Sequence, residues 1–172
     1  RYKEAGYGED HPLEVEIRYN THDLHRKIAV AIQAMWRDVL GVEATLVNEE
    51  FQVLLANMRE AEVTQVFRSS WMGDYNDAHT FLSVLQGGNP TNMPRYSSEQ
   101  YDDLIERAAA HVDPGRRRIY LEQAERVMLA DHPVIPLYVF VSKHLVHPDV
   151  QGWGDNVLDY HYSQHLSLSA SP

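Results

Sequence analysis

A carboxylate set between two aromatic residues is the feature of this sequence that points most directly to chemistry. Asp74 lies between Trp71 and Tyr75 in the run Trp71-Met72-Gly73-Asp74-Tyr75-Asn76. The negative faces of aromatic rings attract cations and exclude water, so a carboxylate beside them pairs with an ammonium group more strongly than in open solvent. The residue types and their spacing therefore favour an amine as the ligand.

The same three residues also have a structural interpretation. Tryptophan and tyrosine near a turn commonly pack in a core, and an aspartate ahead of a helix is often its N-cap. The surrounding pattern favours the binding interpretation, because an apolar run from Val63 to Phe67 leads through Ser69-Ser70 into the turn and then into a helix start.

The segment resembles the signature W-x-x-D-Y-x-x-P/A-x-x-F-L of the family-5 extracytoplasmic solute-binding proteins, which include the oligopeptide- and dipeptide-binding receptors of ABC importers. Here it runs from Trp71 to Phe81-Leu82, with Ala78 at the P/A position. In that family the aspartate receives the α-amino group of the bound peptide. The resemblance places this role on Asp74.

Other segments resemble the family in the same order, and together they cover nearly the whole chain. They are Glu4-Ala5-Gly6-Tyr7 with Pro12-Leu13, Tyr19-Asn20-Thr21 with Leu24-His25, Gln33 with Trp36 and Leu40-Gly41-Val42, Tyr101-Asp102 with Leu104-Ile105, Arg118 with Tyr120 and Ala124-Glu125, and Pro133 to Tyr138. Met72-Gly73 and Asp77-Ala78-His79 are not the commonest family residues at their positions, and the loop Gly87 to Pro94 is peculiar to this chain. Ligand preference therefore stays open.

The resemblance implies cationic side chains at the carboxyl end of the ligand, at Arg59, Arg68 and His25. A guanidinium suits this role because it is a planar fork of donors that stays charged. The alternatives are structural: Arg59 would cap the C-terminus of its helix, Arg68 would pair with a neighbouring carboxylate such as Asp74, and His25 would serve the start of its helix. By the same resemblance Trp71 and Tyr75 flank the ligand, and the backbone near Ser69-Ser70-Trp71 bonds to an extended peptide.

Composition limits the classes of protein to consider. The 172 residues are 44% hydrophobic and 23% charged, which is typical of a soluble globular domain, and the length suits one domain. A net charge of −10 argues against a nucleic-acid partner, because the one basic run, Arg116-Arg117-Arg118, has the pattern of a solvated helix face. The absence of cysteine excludes disulfides, thiolate zinc sites and cysteine nucleophiles.

Hydrophobic periodicity predicts an α/β fold with crossover connections. The predicted order is a strand at 13–19, a helix capped by Thr21 or Asp23 and ending at Gly41, a strand at 42–47, a helix at 51–58 and a strand at 63–70. After the Trp71 turn come helices at 78–85, 98–111 and 114–130 and a buried strand at 134–141; the tail from Gly152 can form only short strands.

The resemblance implies a type II periplasmic-binding-protein lobe, a mixed sheet flanked by helices, within a larger two-lobed receptor that closes about a hinge. Residues 1–148 would form the peptide-binding lobe and residues 149–172 a tail returning to the other lobe. The implied partners are a peptide, the membrane permease subunits of the importer and the remaining lobe. The implied location is the periplasm or, in a Gram-positive host, an extracytoplasmic position held by a lipid anchor. The abrupt start at Arg1 is interpreted as a cut in a longer protein.

The sequence predicts neither an enzyme active site nor a metal site. There is no G-x-S-x-G elbow and no phosphate-binding glycine loop. Three histidine pairs are spaced for a metal, but none is joined by a convincing acidic partner in an H-E-x-x-H or similar motif: His22/His25, His144/His147 and His161/His165. The sequence therefore predicts no cofactor. Alternatives to an oligopeptide ligand are dipeptides, murein peptides, nickel chelates or sugars, and the alternative class is a small α/β enzyme or regulatory domain.

Overall fold

The structure is a computed structural model that describes residues 2–60 and 65–169. The chain forms two compact units, Arg1–Ser70 and Trp71–Pro172. Each unit has its own hydrophobic core.

The first unit is built on a central strand, β1 (Glu14–Asn20), as the alternation of its residues predicts. Val15, Ile17 and Tyr19 are buried on one face, and the intervening residues are more accessible. Helix α1 (Asp23–Leu40) follows and leads into β2 (Glu43–Glu49), then α2 (Phe51–Glu60) and β3 (Val66–Phe67). The predicted strand–helix–strand–helix–strand order is confirmed.

The three strands form a parallel sheet in the order β2-β1-β3. Within this sheet, Ile17 of β1 pairs with Leu46 of β2 on one side and with Val66 of β3 on the other. The chain passes from β1 to β2 and then crosses to the opposite side of β1, so the carboxyl ends of β1 and β3 are adjacent. Strand β3 is shorter than the predicted 63–70; residues 63 and 64 lie outside the described residues, and residues 68–70 leave the ladder.

The cap of α1 differs from the prediction. The N-cap is His22, whose Nδ1 accepts the N–H of Leu24 at 3.2 Å. Thr21 is unavailable because its hydroxyl bonds to the end of β2, at Asn48 Oδ1 (3.0 Å) and the Glu49 carbonyl (3.1 Å). Asp23 is already inside the first turn. The predicted stop is confirmed, since Gly41 adopts φ 67°, the left-handed conformation that suits glycine after a helix.

The second unit is helical around a compact apolar core. It contains α3 (His79–Leu82), which continues as a 3₁₀ turn (Ser83–Leu85), α4 (Glu99–Ala110) and α5 (Pro114–Asp131). Ser98 and Asp113 are the N-caps of α4 and α5. The fully buried Tyr101 donates from its hydroxyl to the Leu82 carbonyl at 2.6 Å, and burial raises the pKa of this phenol. The core brings together Leu82, Leu85, Tyr101, Leu104, Ile105, Ala108, Leu121, Ala124 and Met128.

The predicted buried strand at 134–141 is wrong. These residues are extended without ladder pairing and mostly exposed, with Ile135 at 65% and Val139 at 88%. A buried strand needs a sheet edge to accept its hydrogen bonds, and in the described part of this unit no strand lies beside the segment. Pro136 also removes one donor.

The tail forms only short strands, as predicted. Strands β4 (Val150–Gln151) and β5 (Ser167–Leu168) pair antiparallel. Between them Asp159 bonds to His161 and His144, and the hydrogen bonds from His161, then Ser142 and His144, lower the pKa of this carboxyl to about 2. Within the described residues, no helix combines the length and apolar character needed to span a membrane.

Candidate functional site

The side chain of Asp74 is exposed at the surface of the second unit. Among residues 2–60 and 65–169, its carboxylate has neither a hydrogen bond nor an ion pair. Trp71 and Tyr75 are also accessible, at 42% and 44% of their full exposure. Core packing therefore does not explain these aromatic residues, and an N-cap does not explain the aspartate.

The segment from Trp71 to Asp77, here called the carboxylate loop, is fixed at its centre by a buried threonine. The backbone N–H of Asp74 donates to Thr80 Oγ1 at 3.0 Å, and Thr80 is 2% exposed. The preceding Gly73 lies close to Phe81, so that a Cβ at Gly73 would be 3.1 Å from Phe81 Cζ and 3.2 Å from Thr80 Cγ2. Glycine permits this close approach, and the contacts hold the Asp74 backbone while its side chain remains accessible.

A salt bridge fixes the end of the carboxylate loop. Arg117 of α5 donates from Nε to Asp77 Oδ2 at 2.9 Å and from Nη2 to Oδ1 at 3.1 Å, and its Nη1 donates to the Ala108 carbonyl at 2.6 Å. Asp77 Oδ1 also accepts the N–H of His79, the first residue of α3. The hydrogen bond from Arg117 is the main cause that lowers the pKa of Asp77. The interpretation of the basic run as a wholly solvated face is therefore wrong for Arg117.

Tyr75 is held by a contact within the same segment. Its hydroxyl lies 2.7 Å from His79 Nδ1, and the two rings stack with centroids 6.3 Å apart. Burial, and then the charge of Arg117, lower the pKa of His79 below 6.5, so the imidazole is neutral at neutral pH. The Tyr75 ring thus has a defined position without being enclosed.

The first unit presents an edge, here called the cationic edge, at which Arg68 supplies the positive charge and His25 a neighbouring imidazole, at the carboxyl ends of β3 and β1. Arg68 follows β3, and its N–H donates to the Arg18 carbonyl of β1 at 2.8 Å. His25 lies in the first turn of α1, and its Nδ1 is 2.8 Å from Asn20 Oδ1 at the end of β1. Burial is the main cause that lowers the pKa of His25, and the positive charge of Arg68 is the next.

The strand order explains why this edge is a favourable place for a ligand. In open α/β sheets, ligands bind outside the carboxyl ends of the strands at the point where successive connections leave in opposite directions. Here that point lies between β1 and β3. Arg68 adds a charged fork there, and its Nη1 also lies 3.4 Å from Ser70 Oγ.

Comparison with known proteins identifies the family. Residues 2–93, more than half of the chain, match the model of the bacterial extracellular solute-binding proteins, family 5 Middle. The chain belongs to this family. The predicted resemblance is thereby confirmed, and the matched range contains all six predicted site residues.

Similar family-5 proteins include two from Escherichia coli K12. One is the periplasmic oligopeptide-binding protein OppA, 33% identical over 96% of this chain and 30% of its own length. The other is the probable deoxycholate-binding periplasmic protein YgiS, 36% identical over 98% of this chain and 31% of its own length. The structure of Haemophilus influenzae OppA in complex with RPPGFSPFR is also similar, with a TM-score of 0.87 and 29% identity, covering 98% of this chain and 33% of that chain.

These comparisons confirm the predicted α/β lobe of a solute-binding protein. The chain spans about 30% of the length of the curated relatives it matches. The similar proteins are binding proteins by name rather than enzymes.

Arg59 is connected to the family-5 site by the resemblance alone. It lies in the last turn of α2 and is exposed. Helix α2 begins two residues after β2 ends, and Arg59 comes eight residues into it, about 12 Å along the helix axis.

The structure also brings together two pairs of residues that sequence reasoning missed: Asn20 with His25, and Asp77 with Arg117. Asp77 and Arg117 are 40 residues apart, so no helical or strand periodicity in the sequence links them.

Proposed function

We propose that this chain belongs to the substrate-binding component of an ABC importer and binds extended oligopeptides through their amino terminus, backbone and carboxylate. The observation that carries the proposal is Asp74, an exposed carboxylate without a partner in the described residues, beside two accessible aromatic rings. The family supports it, because relatives include named oligopeptide-binding proteins.

The carboxylate loop is suited to bind an ammonium group. A carboxylate that is not paired within the protein does not have to break an internal ion pair when a ligand arrives. Hydrogen bonds that join two charged groups are stronger than neutral ones. We therefore assign the peptide amino terminus to Asp74, with Trp71 and Tyr75 excluding water around it.

The cationic edge is suited to bind a carboxylate. Arg68 supplies the permanent charge and His25, neutral at neutral pH, supplies a ring nitrogen whose orientation is set by Asn20. Arg59 is a further cation for the same ligand group in our proposal.

The backbone after β3 is a candidate for pairing with the peptide main chain. Residues 68–70 are not part of the ladder, Ser69 and Ser70 are exposed, and β3 is at the edge of the three-stranded sheet. An extended peptide that adds to such an edge gains affinity from groups common to all peptides. This explains tolerance of many ligand sequences without a specific side-chain pocket.

The remaining lobe of the receptor, the permease subunits and an extracytoplasmic location are also part of the proposal. The apolar, exposed segment 134–141 supports a covering partner, since exposed apolar area of this kind marks an interface. Residues 149–172 would return to that lobe. A site completed by two lobes binds more tightly than either part alone, so the chain by itself is expected to bind peptide weakly.

A second ligand class is favoured by one relative. YgiS, 36% identical to this chain, is named for probable binding of deoxycholate. Deoxycholate carries a carboxylate and no ammonium group, so it would engage the cationic edge and leave Asp74 unused. Dipeptides and murein peptides, in contrast, have an amino terminus and would use it. The role of Asp74 therefore separates these ligand classes.

Native mass spectrometry of the full-length receptor, purified from cells without denaturation, tests the proposal. We expect co-purified masses that fragment into peptides of mixed sequence. A bile acid, a sugar or a nickel chelate as the sole carried ligand would contradict the oligopeptide assignment. Incubation with mixed peptides tests the enzyme alternative: the peptides should be recovered intact, and cleavage that depends on Asp74 would overturn the binding role.

A further inference from the structure

Two histidines and one aspartate converge in the second unit, where His144 meets Asp159 and His161 from 15 and 17 residues earlier in the sequence. The Nε2 atom of His144 lies 2.7 Å from Asp159 Oδ1, and the Nε2 atom of His161 lies 3.0 Å from the same oxygen. One donor atom from each residue lies within 4.8 Å of the others. We call these three residues the histidine cluster.

The peptide-binding proposal does not use this cluster. Its residues lie beyond the part of the chain that matches the family model, which ends at residue 93. The sequence did not reveal it either, because the acidic partner is 15 residues from His144 and because His144 and His161 belong to different spaced pairs. The cluster therefore needs an explanation of its own.

We propose that the histidine cluster binds a zinc ion through His144 Nε2, His161 Nε2 and Asp159 Oδ1. Two imidazoles and a carboxylate are ligands that Zn²⁺ prefers, and three protein ligands with water in the fourth position is a common zinc arrangement. Tetrahedral ligands at about 2.0–2.1 Å from zinc are separated from each other by roughly 3.4 Å. The two nitrogens lie 2.7 and 3.0 Å from the oxygen, so zinc binding would lengthen these two distances by about 0.7 and 0.4 Å.

The surroundings orient both imidazoles. Trp153 stacks on His161 with centroids 3.7 Å apart and an interplanar angle of 11°, and it meets His144 edge-on at 5.2 Å. The His161 side chain is 11% exposed, whereas His144 and Asp159 are about one-third exposed. One side of the cluster is thus closed by an indole ring, and the other is open to solvent for metal entry and for a water ligand.

Bound zinc would replace these two hydrogen bonds with three coordination bonds, one to each residue of the cluster. Without the ion, each imidazole can donate its Nε2–H to Asp159 Oδ1; with the ion, each Nε2 presents its lone pair and the ring proton resides on Nδ1. The ion would join residue 144 to residues 159–161, and so would hold the tail segment to the extended segment before it. The donor set also predicts weak binding of Mg²⁺ and Ca²⁺, which require more oxygen ligands.

Titration calorimetry of the full chain with Zn²⁺ at about pH 7.5, in a buffer that does not chelate metal, tests the proposal. We expect one equivalent to bind, with no comparable binding of Mg²⁺. His161→Gln and Asp159→Asn should each weaken zinc binding at least about tenfold, since each removes a ligand. His165→Gln is the matched control, because His165 is an exposed histidine four residues away and outside the cluster; it should leave the affinity unchanged.

X-ray absorption at the zinc edge gives a readout that does not depend on variants. The spectrum should fit two imidazoles and additional oxygen ligands at about 2.0–2.1 Å. The proposal is overturned if the folded chain binds no zinc, or if His165→Gln weakens binding as much as His161→Gln does, which would indicate scattered surface histidines. Circular dichroism of each variant ensures that only folded protein is compared.

Discussion

The carboxylate loop and the cationic edge present opposite charges, and they are positioned by different means. His25 and Arg68 come directly from the regular elements of a parallel sheet, one from the first helical turn after β1 and the other from the residue after β3. The carboxylate loop has no regular structure of its own. It is held by the buried hydroxyl of Thr80 and by Arg117, which lies 40 residues from its partner Asp77.

The two kinds of anchoring predict which parts of the candidate binding site tolerate substitution. A residue at the end of a hydrogen-bonded strand keeps its position when a neighbouring side chain changes, because the ladder determines the backbone. A loop with few anchors depends on each of them. We therefore expect substitutions around the carboxylate loop to have larger effects than comparable substitutions around the cationic edge.

The largest stability effect is expected for Arg117→Met. Both partners are partly buried, with the Arg117 and Asp77 side chains 22% and 32% exposed, and the substitution removes the guanidinium donors from Asp77 and from the Ala108 carbonyl. We expect a loss of about 2 kcal/mol in the free energy of unfolding, measured by urea denaturation. The control Arg118→Met removes an exposed contact with Glu122 at 3.5 Å and should cost about 0.5 kcal/mol or less. Equal losses of unfolding free energy in the two variants would contradict the role of Arg117 as an anchor of the carboxylate loop.

The same salt bridge predicts a pH dependence. The pKa of Asp77 is lowered below its ordinary 3.8, chiefly by Arg117, so the folded state favours the ionised carboxylate. This contribution is complete above the unfolded pKa and is lost as pH falls through the folded value. The stability difference between the wild type and Arg117→Met should therefore be constant from about pH 5 upward and shrink below about pH 4. A difference that does not change down to about pH 2 would show that packing, not charge, is responsible.

A smaller effect is expected for Thr80→Val, which has almost the same volume and removes the acceptor of the Asp74 N–H. The expected cost is about 1 kcal/mol, the typical contribution of one hydrogen bond. Amide hydrogen exchange should show faster exchange at Asp74. Thr80→Ser is the control, since it keeps the hydroxyl and should retain protection of that amide. Unchanged exchange in Thr80→Val would mean that other contacts hold the loop.

The smallest effect is expected at the cationic edge, from Arg68→Gln. Burial is the main cause that lowers the pKa of His25, and the charge of Arg68 adds to it, so removing the charge should raise that pKa. The change in unfolding free energy should stay below about 0.5 kcal/mol, as for most surface substitutions. NMR titration of the His25 ring measures the pKa, and Arg37→Gln, at the other end of α1, should leave it unchanged. An unchanged pKa in Arg68→Gln would show that the two side chains do not interact.

The sequence predicts the regular elements well and their tertiary roles less well. Alternation in β1 and the Gly41 stop of α1 are local signals, and they are confirmed. The cap at His22 was missed because Thr21, the better capping residue, bonds to β2 instead. Segment 134–141 has strand composition, but composition does not show whether a neighbouring strand is present. The anchors of the carboxylate loop involve contacts across 6 and 40 residues, which no periodicity contains.

The central assignment is that Asp74 binds the amino terminus of a peptide. The most direct test is calorimetric titration of the intact receptor and its Asp74→Asn variant, each with a free-amine peptide and the same peptide acetylated at its amino terminus. We predict that Asp74→Asn weakens binding of the free-amine peptide by about 1.5–3 kcal/mol, roughly 10- to 100-fold, and hardly affects the acetylated one. Equal losses for the two peptides, or no loss for either, would contradict the assignment.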